Sequence, residues 1–198
     1  MITKTTKHFL AFSLCIGLIG TALAQDKKKG GIQAYEKLVT SEAKTDEGLF
    51  KVHQIDDKYL FEIPDSLFER EMLMVTRIAR NISNNRSFGG QKANTQVLRW
   101  QKQAKHVVVR VVSYNVVADP DLPVAEAVKN SNFEPVLYRF PIKAFNKEQG
   151  STVIDATGMF SSDVKALGLP ASVRKSYKIS SVDAKKSFIE EVKSFPKK

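Results

Sequence analysis

The sequence predicts an α+β fold, a mostly antiparallel and hairpin-rich β-sheet with a few short helices and a C-terminal helix. Short runs of aromatic and β-branched residues recur between residues 47 and 160, and turn residues separate them. The run VVVRVV at residues 107–112 is the strongest of these strand signals. Apolar residues at helical spacing are confined to short segments, so the helices are expected to be short.

The length and composition fit one ordinary globular domain, or one domain with a short appendage. The chain has 198 residues, of which 42% are hydrophobic and 26% are charged. These values exclude a disordered chain. The formal net charge is +10, which bears on solubility and on anionic partners rather than on the fold.

Residues 1–24 have the three-part pattern of a secretory signal peptide. Lys4 and Lys7 precede an apolar run that extends from residue 9 to residue 24. The alternative, an N-terminal membrane anchor, is disfavoured because this run is shorter than the roughly 20 residues of a membrane span. We therefore expect an exported protein, periplasmic or extracellular, with no stable membrane span after cleavage. The predicted cleavage residues are Ala22, Ala24 and Gln25.

The single cysteine of the chain, Cys15, lies inside this leader. The chain that remains after cleavage therefore has no thiol, which excludes a disulfide, a thiolate nucleophile and a cysteine-ligated metal. An exported protein without disulfides has to be held together by its core alone.

The first part of the exported chain is divided by changes in its sequence pattern. Residues 25–46 are predicted to form a linker and a short helical segment, which we place at 32–43. Residues 47–80 are predicted to form an N-terminal β-hairpin module. Its elements are strands at 49–55 and 58–63 around the turn Asp56-Asp57, a helical turn from Ser66 to Glu69, and a central strand at 71–80.

Residues 81–198 are predicted to form a β-rich domain. The expected elements are a loop at 81–91, strands at 95–101 and 106–114, a short helix at 123–130, and a strand pair at 135–145 and 151–160. A final helix is expected to begin at Ser181 or Asp183. One face of that helix is a candidate docking face, and its residues are Phe188, Ile189, Val192 and Phe195.

Candidate catalytic and metal-binding residues are few. His53 and His106 are the only histidines after the leader, and both lie in predicted strands. Neither belongs to an H-E-x-x-H motif, so a zinc site from these two and a carboxylate remains a minor hypothesis beside ordinary strand histidines. The sequence has no G-x-S-x-G elbow and no P-loop lysine. A Ser/His/Asp triad is not determined by sequence order, and nothing here indicates one.

Basic residues on adjacent predicted strands suggest a solvated sheet face or a docking face for an acidic partner. Valines rather than aromatic residues alternate with them, and the leader directs the chain away from nucleic acid, so we expect no nucleic-acid partner. These residues are Arg77, Arg80, Arg86, Arg99 and Arg110.

Two consecutive segments carry a family resemblance: YLFEIPDSL at residues 59–67 and MLMVTRI at residues 72–78. Together with shorter matches from Tyr35 onward, they resemble the N-terminal region of large exported bacterial zinc-dependent metalloproteases. In that family two domains of unknown function precede a met-zincin catalytic domain. The shorter matches lie at 35–38, 48–52, 97–100, 138–142, 153–157, 187–190 and 195–196.

The resemblance implies an export address, and it implies that the zinc-binding H-E-x-x-H helix belongs to a catalytic domain beyond Lys198. No zinc ligand can be transferred to a position of this chain, so we expect no cofactor in it. The second domain is expected to be incomplete at its C-terminus. The implied partner is a metalloprotease catalytic domain, downstream or separate.

Three functional hypotheses follow. The first is a non-catalytic module that serves as a structural or docking domain of a metalloprotease-like protein. The second is a stand-alone secreted or periplasmic module that binds a peptide or an anionic glycan on its basic sheet face. The third is a zinc peptidase with an unrecognised site that uses His53 and His106. Enzyme activity of the chain by itself is left open, with the non-catalytic interpretation preferred.

Overall fold

A computed structural model of the chain describes residues 31–81 and 87–196. It confirms the predicted α+β class, since an antiparallel sheet dominates and the helices are short. The predicted leader, with Cys15 and the cleavage residues Ala22, Ala24 and Gln25, lies outside the described residues, as does Arg86. Within residues 31–81 and 87–196, no helix has the length and apolar character that crossing a membrane requires.

Over residues 31–81 and 87–196, eight strands form the sheet, and every neighbouring pair of strands is antiparallel. In chain order they are β1 (Lys44–Asp46), β2 (Lys51–Ile55), β3 (Lys58–Pro64), β4 (Glu71–Arg77), β5 (Lys92–Lys102), β6 (His106–Val112), β7 (Val136–Asn146) and β8 (Ser151–Asp155). Their order across the sheet is β1-β2-β3-β8-β7-β6-β5-β4. Strands from the predicted 47–80 module and from the predicted 81–198 domain thus belong to one sheet.

Short helices and turns connect the strands. The α-helices are α1 (Tyr35–Leu38), α2 (Ala125–Ser131), α3 (Thr157–Ser161) and α4 (Ala171–Ser176). Single 3-10 turns cover Asp65–Leu67 and Ala184–Lys186. The helical segment predicted at 32–43 is reduced to α1, because the chain becomes extended at Val39 and then enters β1. The predicted turn at 66–69 begins one residue earlier, at Asp65.

The predicted hairpin is confirmed, because β2 and β3 pair around the two-residue turn Asp56-Asp57. Asp56 has a φ of 50°, in the left-handed region that hairpin turns require and that aspartate tolerates. The turn fixes the register, with Val52 opposite Phe61 and His53 opposite Leu60. Every second residue of the pair therefore faces the same side of the sheet.

The main core lies on the concave face of a curled sheet. The ring of Phe50 lies 5.8 Å from that of Phe61 on β3 and 5.5 Å from that of Trp100 on β5. Since these two strands are four positions apart in the sheet, the sheet has to curl to bring both rings to one residue. Trp100 also stacks on Phe140 of β7, with ring centroids 5.8 Å apart.

A second, smaller cluster covers part of the convex face. Leu60, Ala144 and Val153 are buried there, and α1 packs on them with Tyr35 and Leu38. Strand β3 is consequently buried on both faces, with Phe61 and Ile63 in the main core and Leu60 beneath α1.

Two strand predictions are wrong in position or length. The segment 71–80 was expected to be a central strand, but β4 is an edge strand whose residues alternate between exposed and half-buried. Its outward side chains, Leu73 and Val75, are apolar although no element covers them among the described residues. The strand predicted at 151–160 ends at Asp155, because the Asp155 carboxylate accepts the backbone N–H of Thr157 at 3.1 Å and α3 begins there.

The predicted C-terminal helix, on which the candidate docking residues were placed, is also wrong. Asp183 does cap a turn, by accepting the N–H of Lys185 at 3.2 Å, but that turn ends at Lys186. The following tail, residues 187–196, is irregular and crosses to the start of β2, where Leu49 N–H donates to the Phe195 carbonyl at 2.8 Å. The four residues of the candidate docking face therefore differ in their surroundings. Ile189 and Val192 pack on the main core, whereas Phe188 and Phe195 are exposed.

The close approach of this tail to Gly48 gives a stability prediction. A Cβ at position 48 would overlap the backbone nitrogen of Phe195 and the hydroxyl of Ser194, and would lie 2.7 Å from the carbonyl carbon of Phe195. We expect Gly48→Ala to lower the free energy of unfolding by about 1–3 kcal/mol, since the tail has to move away. Urea unfolding followed by Trp100 fluorescence measures this loss.

The matched control is Gly31→Ala, because a Cβ at Gly31 has open space around it. Equal unfolding free energies for the two variants would show that the tail does not hold the position described.

Candidate functional site

The most highly organised polar site is buried on the convex face, beneath α1, and Glu62 is its centre. Strand alternation places Glu62 on the same face as Leu60, away from the main core. His53 on β2 lies on that face too, and the relative exposure of His53 and Glu62 is only 2% and 1%. The end of β7 and the start of β8 supply Asn146 and Ser151, which are also buried.

The carboxylate of Glu62 accepts four hydrogen bonds. Its Oε2 accepts from the Tyr35 hydroxyl at 2.8 Å and from His53 Nε2 at 2.8 Å. Its Oε1 accepts from Asn146 Nδ2 at 2.9 Å and from the Ser151 hydroxyl. Two donors on each oxygen fill the acceptor capacity of a carboxylate. One side chain of β3 therefore holds α1, β2, β7 and β8 together.

The second nitrogen of His53 is engaged as well. His53 Nδ1 lies 2.8 Å from the hydroxyl of Thr45 on β1. Since an ionised carboxylate only accepts, His53 Nε2 is the donor in the bond to Glu62. The chain Thr45–His53–Glu62 thus extends the buried network to the edge of the sheet.

Two pKa values follow from this arrangement. Burial raises the pKa of Glu62, but the hydrogen bonds from His53, Ser151, Tyr35 and Asn146 outweigh burial and lower this pKa to about 2. Burial, and then the hydrogen bond to Glu62, raise the pKa of Tyr35 to about 12. At neutral pH the site therefore holds a carboxylate and a protonated phenol.

This cluster ties α1, β2, β7 and β8 to β3 through hydrogen bonds. A general acid or base has to reach the proton that it transfers on a substrate, whereas the polar atoms of Glu62 and His53 are bonded to neighbours inside the protein. A cavity of about 500 Å³ lies elsewhere, between the end of β4 and α4, where Thr76, Ile78 and Val173 contribute to its wall.

The fold does not bring the two predicted metal ligands together. His53 is on β2 and His106 is on β6, four strand positions away, which corresponds to roughly 19 Å along the sheet at about 4.8 Å per strand. His106 Nδ1 instead accepts a hydrogen bond from Arg139 at 2.9 Å. In the described part of the chain, no three His, Cys, Asp or Glu side chains form a group that could hold a metal ion.

The four arginines of the predicted basic face that the structure describes are bonded within the chain. Arg99 bridges Glu71 at 2.7 Å and Glu134 at 2.5 Å. Arg110 donates to Gln101 at 2.6 Å, and its guanidinium lies 4.6 Å from the ring centroid of Phe133. Of the others, Arg77 donates to the Gly90 carbonyl and Arg80 pairs with Glu190. An acidic partner would therefore compete with acceptors that this chain already provides.

Several exposed apolar side chains lie along the long connection between β6 and β7, a segment in which the sequence indicated no function. We name these side chains the connection surface. Val117 is 69% exposed and Phe133 is 71% exposed. The sequence contains a signal for this exposure, because these apolar residues show neither the alternation of a strand nor the spacing of a helix that would place them in a core. The connection surface consists of Val116, Val117, Leu122, Val124 and Phe133.

Two family models match separate parts of the chain. The first, for a domain of unknown function (DUF5118), matches residues 32–81. The second, for a domain of unknown function (DUF5117), matches residues 90–198. No curated protein and no solved structure matches the chain. The first match covers α1 and β1 to β4, and the second covers β5 to β8 with the tail.

The buried carboxylate gives a pH prediction. The pKa of Glu62 is about 2 in the folded chain against its ordinary value of 4.5, so its contribution to stability is complete above about pH 4.5 and is lost as the pH falls toward 2. Glu62→Gln removes the charge and turns one acceptor into a donor that faces either Asn146 and Ser151 or Tyr35 and His53. We expect it to lower the free energy of unfolding at pH 7 by about 3 kcal/mol.

Urea unfolding between pH 2 and pH 7 checks this expectation. The matched control is Glu148→Gln, in the exposed turn between β7 and β8. Wild type and control should lose stability over the acid range, whereas Glu62→Gln should be less stable throughout and should depend less on pH there. An acid dependence in Glu62→Gln as steep as in the wild type would contradict the assignment.

Proposed function

We propose that this chain, which belongs to the DUF5117 family, is a non-catalytic docking module of an exported zinc-metalloprotease-like protein. The observation that carries the proposal is that the best-organised polar side chains are buried, whereas several large apolar side chains are exposed. His53 and Glu62, whose residue types can transfer protons, are bonded to each other in the interior. The connection surface exposes large apolar side chains to solvent, as protein-binding surfaces do.

The segments that resemble the metalloproteases support the same proposal. YLFEIPDSL covers most of β3 and the turn after it, and MLMVTR lies in β4. Tyr59, Phe61 and Ile63 of the first segment build the core, and Glu62 builds the polar cluster. These residues stabilise the fold. A stable fold that presents a surface to a partner is what a docking module requires.

The proposed partner is the met-zincin catalytic domain of such a protein, which would hold zinc with its own residues. Its contact with this chain would place Val117 and Phe133 at the centre of the interface, because exposed aromatic and branched side chains contribute most when a partner excludes water from them. Export, as residues 1–24 suggest, would place both domains in the same compartment. The competing hypothesis of a zinc peptidase would require His53 to leave Glu62 and Thr45.

Binding to a purified met-zincin domain, taken from a protein in which both family segments precede it, tests the docking role. Val117→Asp should weaken binding by at least about tenfold, because a carboxylate would be buried without a partner. Leu73→Asp is the matched control: Leu73 is 68% exposed against 69% for Val117, and it lies on β4. Equal weakening by both variants, or no binding of the wild type, would contradict the proposal.

A casein assay with the chain alone tests the non-catalytic part. We expect no hydrolysis above the buffer blank, and hydrolysis only after the catalytic domain is added. Hydrolysis by the isolated chain that is lost, together with bound zinc, in the His53→Ala/His106→Ala double variant would establish the peptidase hypothesis instead.

A further inference from the structure

The two edges of the sheet differ in how they are protected. Edge strand β1 is three residues long and carries Lys44 and Asp46, and short, charged edges resist pairing with another strand. Edge strand β4 is seven residues long, and Leu73 and Val75 are exposed on it. Among the described residues, its backbone hydrogen bonds are made with β5 alone. This edge therefore presents free backbone donors and acceptors beside exposed apolar side chains.

The sequence of β4, EMLMVTR, is complementary to itself when it is read in the opposite direction. If Met74 is placed opposite Met74 of a second copy, Leu73 falls opposite Val75 and Glu71 falls opposite Arg77. The Leu73–Val75 pair and the Glu71–Arg77 pair each occur twice, because the pairing has two-fold symmetry. We propose that β4 pairs antiparallel with β4 of a second copy of this chain, with Met74 on the two-fold axis.

The exposure pattern of β4 fits this arrangement. Glu71, Leu73, Val75 and Arg77 are exposed on the convex side, and the residues between them are half-buried. In the proposed edge-to-edge pairing, the convex faces of the two sheets become one continuous face. Opposite charges meet at both ends of the paired strands, and apolar side chains meet in the middle. Val97 of β5 lies opposite Leu73 within the chain, so the apolar contact between the copies continues an apolar row that is already present.

Other registers are less favourable. A shift by one residue would place exposed positions of one copy beside half-buried positions of the other. A shift by two residues would place Glu71 opposite Val75, or Arg77 opposite Leu73, and would separate the opposite charges. Charge complementarity therefore selects the register centred on Met74.

The charged residues keep capacity for a second partner. Arg77 uses Nη1 to donate to the Gly90 carbonyl, and a guanidinium has five N–H groups. The Glu71 side chain, although it accepts from Arg99 and Tyr114, remains 39% exposed. One strand pair buries less area than a permanent interface, so the dimer forms and dissociates with protein concentration.

Disulfide cross-linking tests the register. In a Cys15→Ser background, which removes the single cysteine, Met74→Cys places two thiols directly opposite each other. Directly opposed antiparallel residues have Cα atoms about 4.5–5.5 Å apart, within the range of a disulfide. Met72→Cys is the matched control. Two residues 72 would be four positions out of line, roughly 13 Å apart along the strands, although both methionines pack against the same core.

Under mild oxidation we expect a covalent dimer from Met74→Cys and at least about tenfold less from Met72→Cys. Circular dichroism confirms that both variants are folded. Equal cross-linking of the two variants, or none with either, overturns the proposal.

Sedimentation equilibrium with charge variants gives an independent test. Arg77→Glu and Glu71→Lys each place like charges opposite each other, and each alone should dimerise at least about tenfold more weakly than the wild type. An equimolar mixture of the two restores both opposite-charge pairs and should form a heterodimer.

Self-association of either variant at wild-type strength, or a mixture that stays monomeric, overturns the pairing. The proposal goes beyond the docking function and is tested separately, since Val117→Asp should leave self-association unchanged.

Discussion

The antiparallel pairing of β3 with β8 is the interaction on which the rest of the structure depends. It joins the two matched family segments over five residue pairs, from Leu60 with Asp155 to Pro64 with Ser151. It also brings Ser151 to Glu62, so the buried carboxylate gains a donor from a residue 89 positions away in sequence. With β3 fixed between β2 and β8, the sheet curls around Trp100 and the aromatic core closes.

The sequence predicts those features of the fold that are local. The β2–β3 hairpin is predictable because its strands and its two-residue turn are adjacent. The edge position of β4 is not, because apolar residues on both faces of a strand look the same whether helices, other strands or a second copy cover them. The helix predicted for the tail is wrong for a similar reason. Ile189 and Val192 have helical spacing, but they reach the core from an irregular segment. Hydrogen bonds to residues 46–50 hold that segment in place.

The polar site was predictable only in part. His53 is noticed as a lone histidine, whereas Glu62 becomes significant only when Tyr35 and Ser151, 27 and 89 residues away in sequence, converge on it. In the folded chain His53 and Glu62 are buried, whereas two apolar features remain exposed, the connection surface and the β4 edge.

Native-state hydrogen exchange of the β3 and β8 amides tests the central claim that both family segments form one cooperative unit. The account predicts that the most protected amides of both strands open with the same free energy, equal to the global value from Trp100 fluorescence. Opening of β2 and β3 at a clearly lower free energy, while β5 to β7 stay protected, would show two independent units and contradict the account.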